Sequence, residues 1–133
     1  MKTEAHTKAD GSAHKDIAVS FLRLVASGDV RDAYERYVDA GFRHHNAFFR
    51  GDRASLMKAM EENAGKNPDK VLDVKHALED GDYVAVHSHI RQNAQDRGGA
   101  VVHIFRFERD RIAEMWDLGQ AIPQESPNEH GMF

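Results

Sequence analysis

The chain has no cysteine and only three prolines in 133 residues. Without cysteine there are no disulfides and no thiolate to act as nucleophile or ligand, and a reducing cytoplasm is the expected compartment. Charge of one sign is not in excess. The formal net charge is -4, so no nucleic-acid or anionic-membrane partner is expected. No apolar run approaches the ~20 residues that span a bilayer. The polar stretch from Met1 to Ser12 lacks the hydrophobic run of a signal peptide or anchor. Sequence-local signatures of chemistry are missing too: there is no Gly-rich phosphate loop, nucleophile elbow, dinucleotide fingerprint or H-E-x-x-H helix.

What is there is an ordinary globular mix, 41% hydrophobic and 30% charged, long enough for one domain around one core. Residues 1–11 have almost nothing to bury and read as a disordered tail. Ser12 is a plausible helix cap, and Ile17, Phe21, Leu24 and Val25 recur at helical spacing until Gly28. Asp29 caps a second helix, with Val30, Ala33, Tyr34, Tyr37 and Val38 as its stripe and Gly41 as its stop. Phe42 to Phe49 is aromatic and short, and reads as an irregular extended segment. Asp52 caps a third helix carrying Leu56, Met57, Met60 and Ala64, closed by Gly65 and Pro68.

From Lys70 the apolar period changes to two. Four strands follow: 71–78, 83–92, 100–107 and 111–120, the first two joined through Asp80-Gly81. Residues 122–133 read as a C-terminal tail, leaving one domain over 12–121. Helices first and a strand meander after them argue an α+β fold with the helices on one face of a mainly antiparallel sheet. Apolar residues at both strand parities leave a second face wanting cover, and a homodimer formed sheet to sheet is expected.

Nine histidines are the first hint of chemistry. Strand parity groups Tyr83, Ala85, His87, His89 and Arg91 with Val101, His103, Phe105 and Phe107, and with Ala113, Met115 and Asp117. Apolar walls with few convergent polar groups describe a pocket for a small hydrophobic molecule. An aspartate buried there would hold its proton more tightly and serve as a base near neutral pH. The opposing reading is a set of solvated surface histidines and a strand-end acid. In His44-His45-Asn46, extended backbone would send only one histidine inward. His87-x-His89 with His45 or His103 is the metal alternative, but no closed ligand signature accompanies it, and neither a metal nor a cofactor is expected.

Three helices, the segment Phe-Arg-His-His-Asn-Ala, the Gly51-Asp52 helix start and the strand ending Glu-Met-Trp-Asp-Leu-Gly-Gln together resemble the SnoaL-like polyketide cyclase family. The likeness is closest to its aldol-condensation branch and covers roughly residues 15–121. That family belongs to the nuclear transport factor 2-like superfamily of cone-like α+β barrels. The resemblance implies cofactor-free acid–base chemistry of the aldol type, with Asp117 at the position of the family's acid and His45 and Asn46 at its His-Asn pair. His103 stands where related members often carry an acid, so the proton inventory differs. The expected catalytic set is Asp117, His45 and His103. Asn46, Phe48, Tyr83, His87, His89, Phe105, Phe107 and Met115 are the expected substrate contacts. A binding protein with the same pocket and no turnover is the alternative.

Overall fold

The computed structural model describes residues 13–133; the expected tail over 1–11 and the Ser12 cap lie outside the described residues. Helix α1 spans His14–Ala26 and buries His14, Ile17, Ala18, Phe21 and Leu22, a stripe at alternating spacings of three and one. It ends at Gly28, whose φ of 94° lets the chain reverse. Helix α2, Val30–Tyr37, buries Val30, Ala33 and Tyr34. Helix α3, Arg53–Lys66, starts on Asp52, whose side chain accepts from the Ser55 amide at 3.0 Å.

The second helix is shorter than its apolar stripe implies. It stops at Tyr37, and strand β1, Val38–His44, begins at the next residue. Val38 serves the sheet instead, pairing with Ile112 and lying fully buried. Arg111 stabilises this junction from across the sheet. Its guanidinium donates to the carbonyls of Glu35, Arg36 and Val38 at 2.7 to 3.1 Å, filling acceptors that a helix end leaves open.

The remaining strands are β2 (Val71–Asp80), β3 (Tyr83–Arg91), β4 (Gly99–Glu108) and β5 (Arg111–Ala121). They form one five-stranded mixed, curved sheet in the order β1-β5-β4-β3-β2, antiparallel except where β1 runs parallel to β5. The helices cover one face. Between them lies the core, built around Phe21, Tyr34, Leu56, Val84, Val86, Phe105, Phe107 and Met115. His14 stacks on Phe107 at 4.2 Å, and its ring nitrogens lie 3.3 and 3.1 Å from the carbonyls of Gly81 and Arg109. That contact fastens the start of α1 over both hairpin turns.

Register decides which residues face the helices, and it corrects the parity grouping read from sequence. Val84 pairs with Phe105 and Val86 with His103. Paired residues of an antiparallel ladder share a face. His103, Phe105 and Phe107 therefore lie with Val84 and Val86, while Tyr83, His87 and His89 lie on the far face. On β5 the grouping of Met115 and Asp117 with Phe105 and His103 matches the pairing. Two register shifts divide the remaining apolar positions. Between Val74 and His76 the extra residue Lys75 sends Leu78 outward, and the shift near Phe107 makes Ala113 the extra residue on β5. Leu72, Val74 and Ile90 then lie inward, and Val102, Ile104, Trp116 and Leu118 outward.

Residues 122–133 carry no helix or strand, yet they are not a free tail. The Phe133 ring lies 5.5 Å from His87 and 4.8 Å from His89 on the outer face, with Lys75 Nζ 5.2 Å from its centroid.

The β3–β4 connection depends on Gly98, which has φ +71°, and a Cβ there would run into the Ile90 carbonyl. Gly98→Ala is expected to lower stability by more than about 1 kcal/mol. Gly65→Ala, in the last turn of α3 with nothing near a new Cβ, is expected to raise it by up to about 1 kcal/mol. Paired denaturant titrations read both.

Candidate functional site

A cavity of about 280 Å³ opens between α1, α3 and the inner sheet face. Its walls are apolar: Leu22 and Val25 from α1, Leu56 and Met60 from α3, Leu72 and Ile90 from the sheet, and Phe49 from the turn after β1. Polar side chains enter at two places. Asn46, His103 and Asp117 form one group; Asn63, Lys70 and Gln92 form the other.

In the first group, His103 and Asp117 are direct cross-strand partners. Asp117 Oδ2 accepts from Asn46 Nδ2 at 3.0 Å. The amide cannot turn round without loss, because Asn46 Oδ1 is engaged by the Phe48 backbone N–H at 2.9 Å. The turn holding Asn46 is fixed in turn by His44. His44 Nε2 donates to the Arg50 carbonyl at 2.6 Å, which leaves Nδ1 to accept the Asn46 N–H at 3.1 Å. Asp117 forms no ion pair among the described residues. His103 is buried, and its Nδ1 has no hydrogen-bond partner. Burial pushes its pKa down to about 4, against the Asp117 charge, which raises it.

Several expected site residues lie elsewhere. His45 turns to the outer face, where Nε2 meets Glu114 Oε2 at 2.6 Å and the ring stacks on Trp116 at 5.0 Å. Adjacent residues of extended chain point opposite ways, so His44 and not His45 goes inward. Glu114 also binds Arg43 and Arg106. Arg43 first, then His45, and Arg106 hold its pKa well down, at about 2, against burial. Phe48 is 88% exposed and, with His45, borders a separate surface groove that reaches Asp117 from the other side. Tyr83, His87 and His89 are on the outer face. Phe105, Phe107 and Met115 are inward but sealed in the core and do not line the cavity. The cavity thus brings together Asp117, His103 and Asn46 of the expected set.

Sequence reasoning missed Lys70, Asn63 and Gln92. Gln92 closes the strand read over 83–92 but shares the parity of Val84, Val86 and Ile90, the face not assigned to the pocket; Lys70 precedes the first strand, and Asn63 is one of several polar residues on α3. Ser88 points opposite to His87 on β3 and so lies on the inner face, buried and with its Oγ unpartnered. Among the described residues no group of three or more histidines and acids is gathered closely enough to hold a metal ion. None of their helices is long and apolar enough to cross a membrane.

The chain resembles several solved structures in fold. A nuclear transport factor 2-like protein of unknown function from Cytophaga hutchinsonii superposes with a TM-score of 0.66 at 18% identity, covering 90% of this chain and 95% of that one. IdmH from Streptomyces antibioticus, a proposed polyketide cyclase, gives 0.67 at 17%, covering 81% and 92%. A proposed isomerase of the SnoaL-like family from Agrobacterium tumefaciens gives 0.68 at 11%, covering 81% and 97%. No curated protein matches the chain in sequence. The family model for the SnoaL-like domain matches residues 18–115. With that match over most of its length, the chain belongs to the SnoaL-like family, and its helix-on-curved-sheet fold is that of the nuclear transport factor 2-like structure it superposes on.

Proposed function

We propose that the protein is a cofactor-independent acid–base enzyme acting on a small hydrophobic carbonyl compound, of the aldol-type cyclase, isomerase or lyase kind. One observation carries the reading. Asp117 faces His103 in an apolar-walled cavity, oriented by Asn46 and, among the described residues, paired with no cation. A carboxylate so placed accepts a proton from the carbon next to a carbonyl. The electron pair released moves to the carbonyl oxygen. Uncharged at neutral pH, His103 offers a ring N–H to that oxygen as charge gathers there, and no deprotonated acid competes for the position. In an aldol closure the enolate carbon then attacks a second carbonyl, and the new alkoxide takes a proton back. The proposed cyclase and isomerase among the structural neighbours run in the same direction.

The partner we propose is a second copy of the chain, joined through the outer sheet face. That face carries Leu118 at 63% exposure and Leu78 at 67%, beside Trp116, Val102 and Ile104. Exposed apolar surface of this kind is a recognition surface.

Three measurements test these statements. Exchange of α-protons into D2O, followed by NMR over a panel of small hydrophobic ketones and esters, needs no known product. Exchange is expected with the unmodified protein and is expected to fall by about 100-fold or more in Asp117→Asn. Binding without exchange in either protein would make it a binding protein. Stability against pH reads His103. Its folded pKa of about 4 lies below the ordinary imidazole value of 6.5, so between those values the unfolded chain binds more protons. Stability is therefore intact above 6.5 and falls as pH drops towards 4, by at most about 1.4 kcal/mol per pH unit; His103→Phe should flatten this window. Sedimentation is expected to give twice the chain mass, and Leu118→Glu to halve it.

A further inference from the structure

The acid–base reading uses one end of the cavity and leaves Lys70, Asn63 and Gln92 at the other without a task. Lys70 is half-buried, and its ammonium touches only a neutral group, the Asn63 Oδ1. It forms no ion pair among the described residues. Burial lowers its pKa, with no carboxylate acting against it. Gln92 Oε1 is buried with no partner. A half-turn of that amide exchanges O for NH2, so the same side chain can present donors at this spot. Asn63 lies in the last turn of α3, the negative end of the helix dipole, which favours a positive charge nearby. A cation withdrawn from water without a counter-charge is costly, and an anion bound beside it offsets that cost.

We propose that Lys70, with Asn63 and Gln92, forms a carboxylate-binding subsite, so that the ligand is an apolar carbonyl compound carrying a carboxylate at the end away from its reacting carbon. The assignment of the reacting end rests on the acid–base reading; the anion site stands on the cavity alone. The row of Leu72, Ile90 and Gly99 lies four residues from the row of Val86, His103 and Asp117, roughly 13 Å along the strands. The ligand is therefore elongated, with its apolar body against Leu22, Leu56, Met60, Leu72 and Ile90. One ammonium and two neutral amides suit a monoanion. A phosphate dianion draws on more cations or a run of backbone N–H groups.

The test compares 4-phenylbutanoate, its neutral amide 4-phenylbutanamide, and the phosphate monoester of 4-phenylbutanol by NMR titration. The unmodified protein is expected to bind the carboxylate at least about tenfold more tightly than the amide. Lys70→Met, matched in length, is expected to abolish that preference while leaving the affinity for the amide within about threefold. Asp117→Asn is expected to keep the preference while losing α-proton exchange, so exchange that persists in Asp117→Asn with the preference intact overturns the acid–base reading and not this one. On the unmodified protein, raising salt from about 0.05 to about 0.5 M should weaken the carboxylate and spare the amide. Equal or unmeasurable binding of acid and amide, a preference that survives Lys70→Met, tighter binding of the phosphate, or salt-independent binding of the carboxylate would each overturn the proposal.

Discussion

The pairing of β3 with β4 is the constraint on which the rest of the site depends. Strand side chains alternate, so one register fixes the face of every residue on both strands. Val86 opposite His103 puts an imidazole among core side chains and sends His87 and His89 out. A slip of one residue would exchange those sets and leave the cavity without His103. Gly98 ends the loop that joins the two strands, and a Cβ there would meet the Ile90 carbonyl, so a position with no side chain bears on His103 in the strand that follows.

The two sheet faces treat charge differently. On the outer face Glu114 is saturated by Arg43, His45 and Arg106, and the cluster is electrically closed. On the inner face Asp117 has an amide, Lys70 has an amide, and His103 Nδ1 has nothing. Polar groups in an enclosed site are normally satisfied, and those left short are where a ligand completes the set. Asp117, Lys70 and His103 line one cavity together with the unpartnered Gln92 Oε1, whereas the unpartnered Ser88 Oγ, Arg53 Nε and Arg91 Nε lie outside its lining.

Much of this was legible in the sequence, for reasons of range. The stripes of α1 and α3 are local, and the Asp52–Ser55 cap is readable from four residues. The alternation in β2 to β5 is local too, as is the pairing of Trp116 and Asp117 with opposite faces. The end of α2 was not, because Val38 continues a helical stripe and only its partner on β5 and the Arg111 guanidinium draw it into the sheet. The grouping of Tyr83, His87 and His89 with His103 failed because face identity between strands is a long-range property. The bulge at Lys75, which turns Leu78 outward, has no sequence mark at all. Lys70, Asn63 and Gln92 come from three elements and meet only once α3 is docked over the sheet.

Glu114 and Asp117 stand three residues apart on one strand, and their contrast explains why one acid and not the other is suited to proton transfer. Glu114 sits among three cationic or hydrogen-donating side chains that hold its pKa near 2. A carboxylate so stabilised is a poor proton acceptor, because accepting a proton forfeits those bonds. Asp117 gives up a single amide contact, and protonating it leaves no cation stranded. The odd spacing between them puts the paired acid on the outer face and the unpaired one in the cavity. Strand alternation alone therefore lets nearby residues of one strand serve an ion-pair cluster on one side and the proposed chemistry on the other.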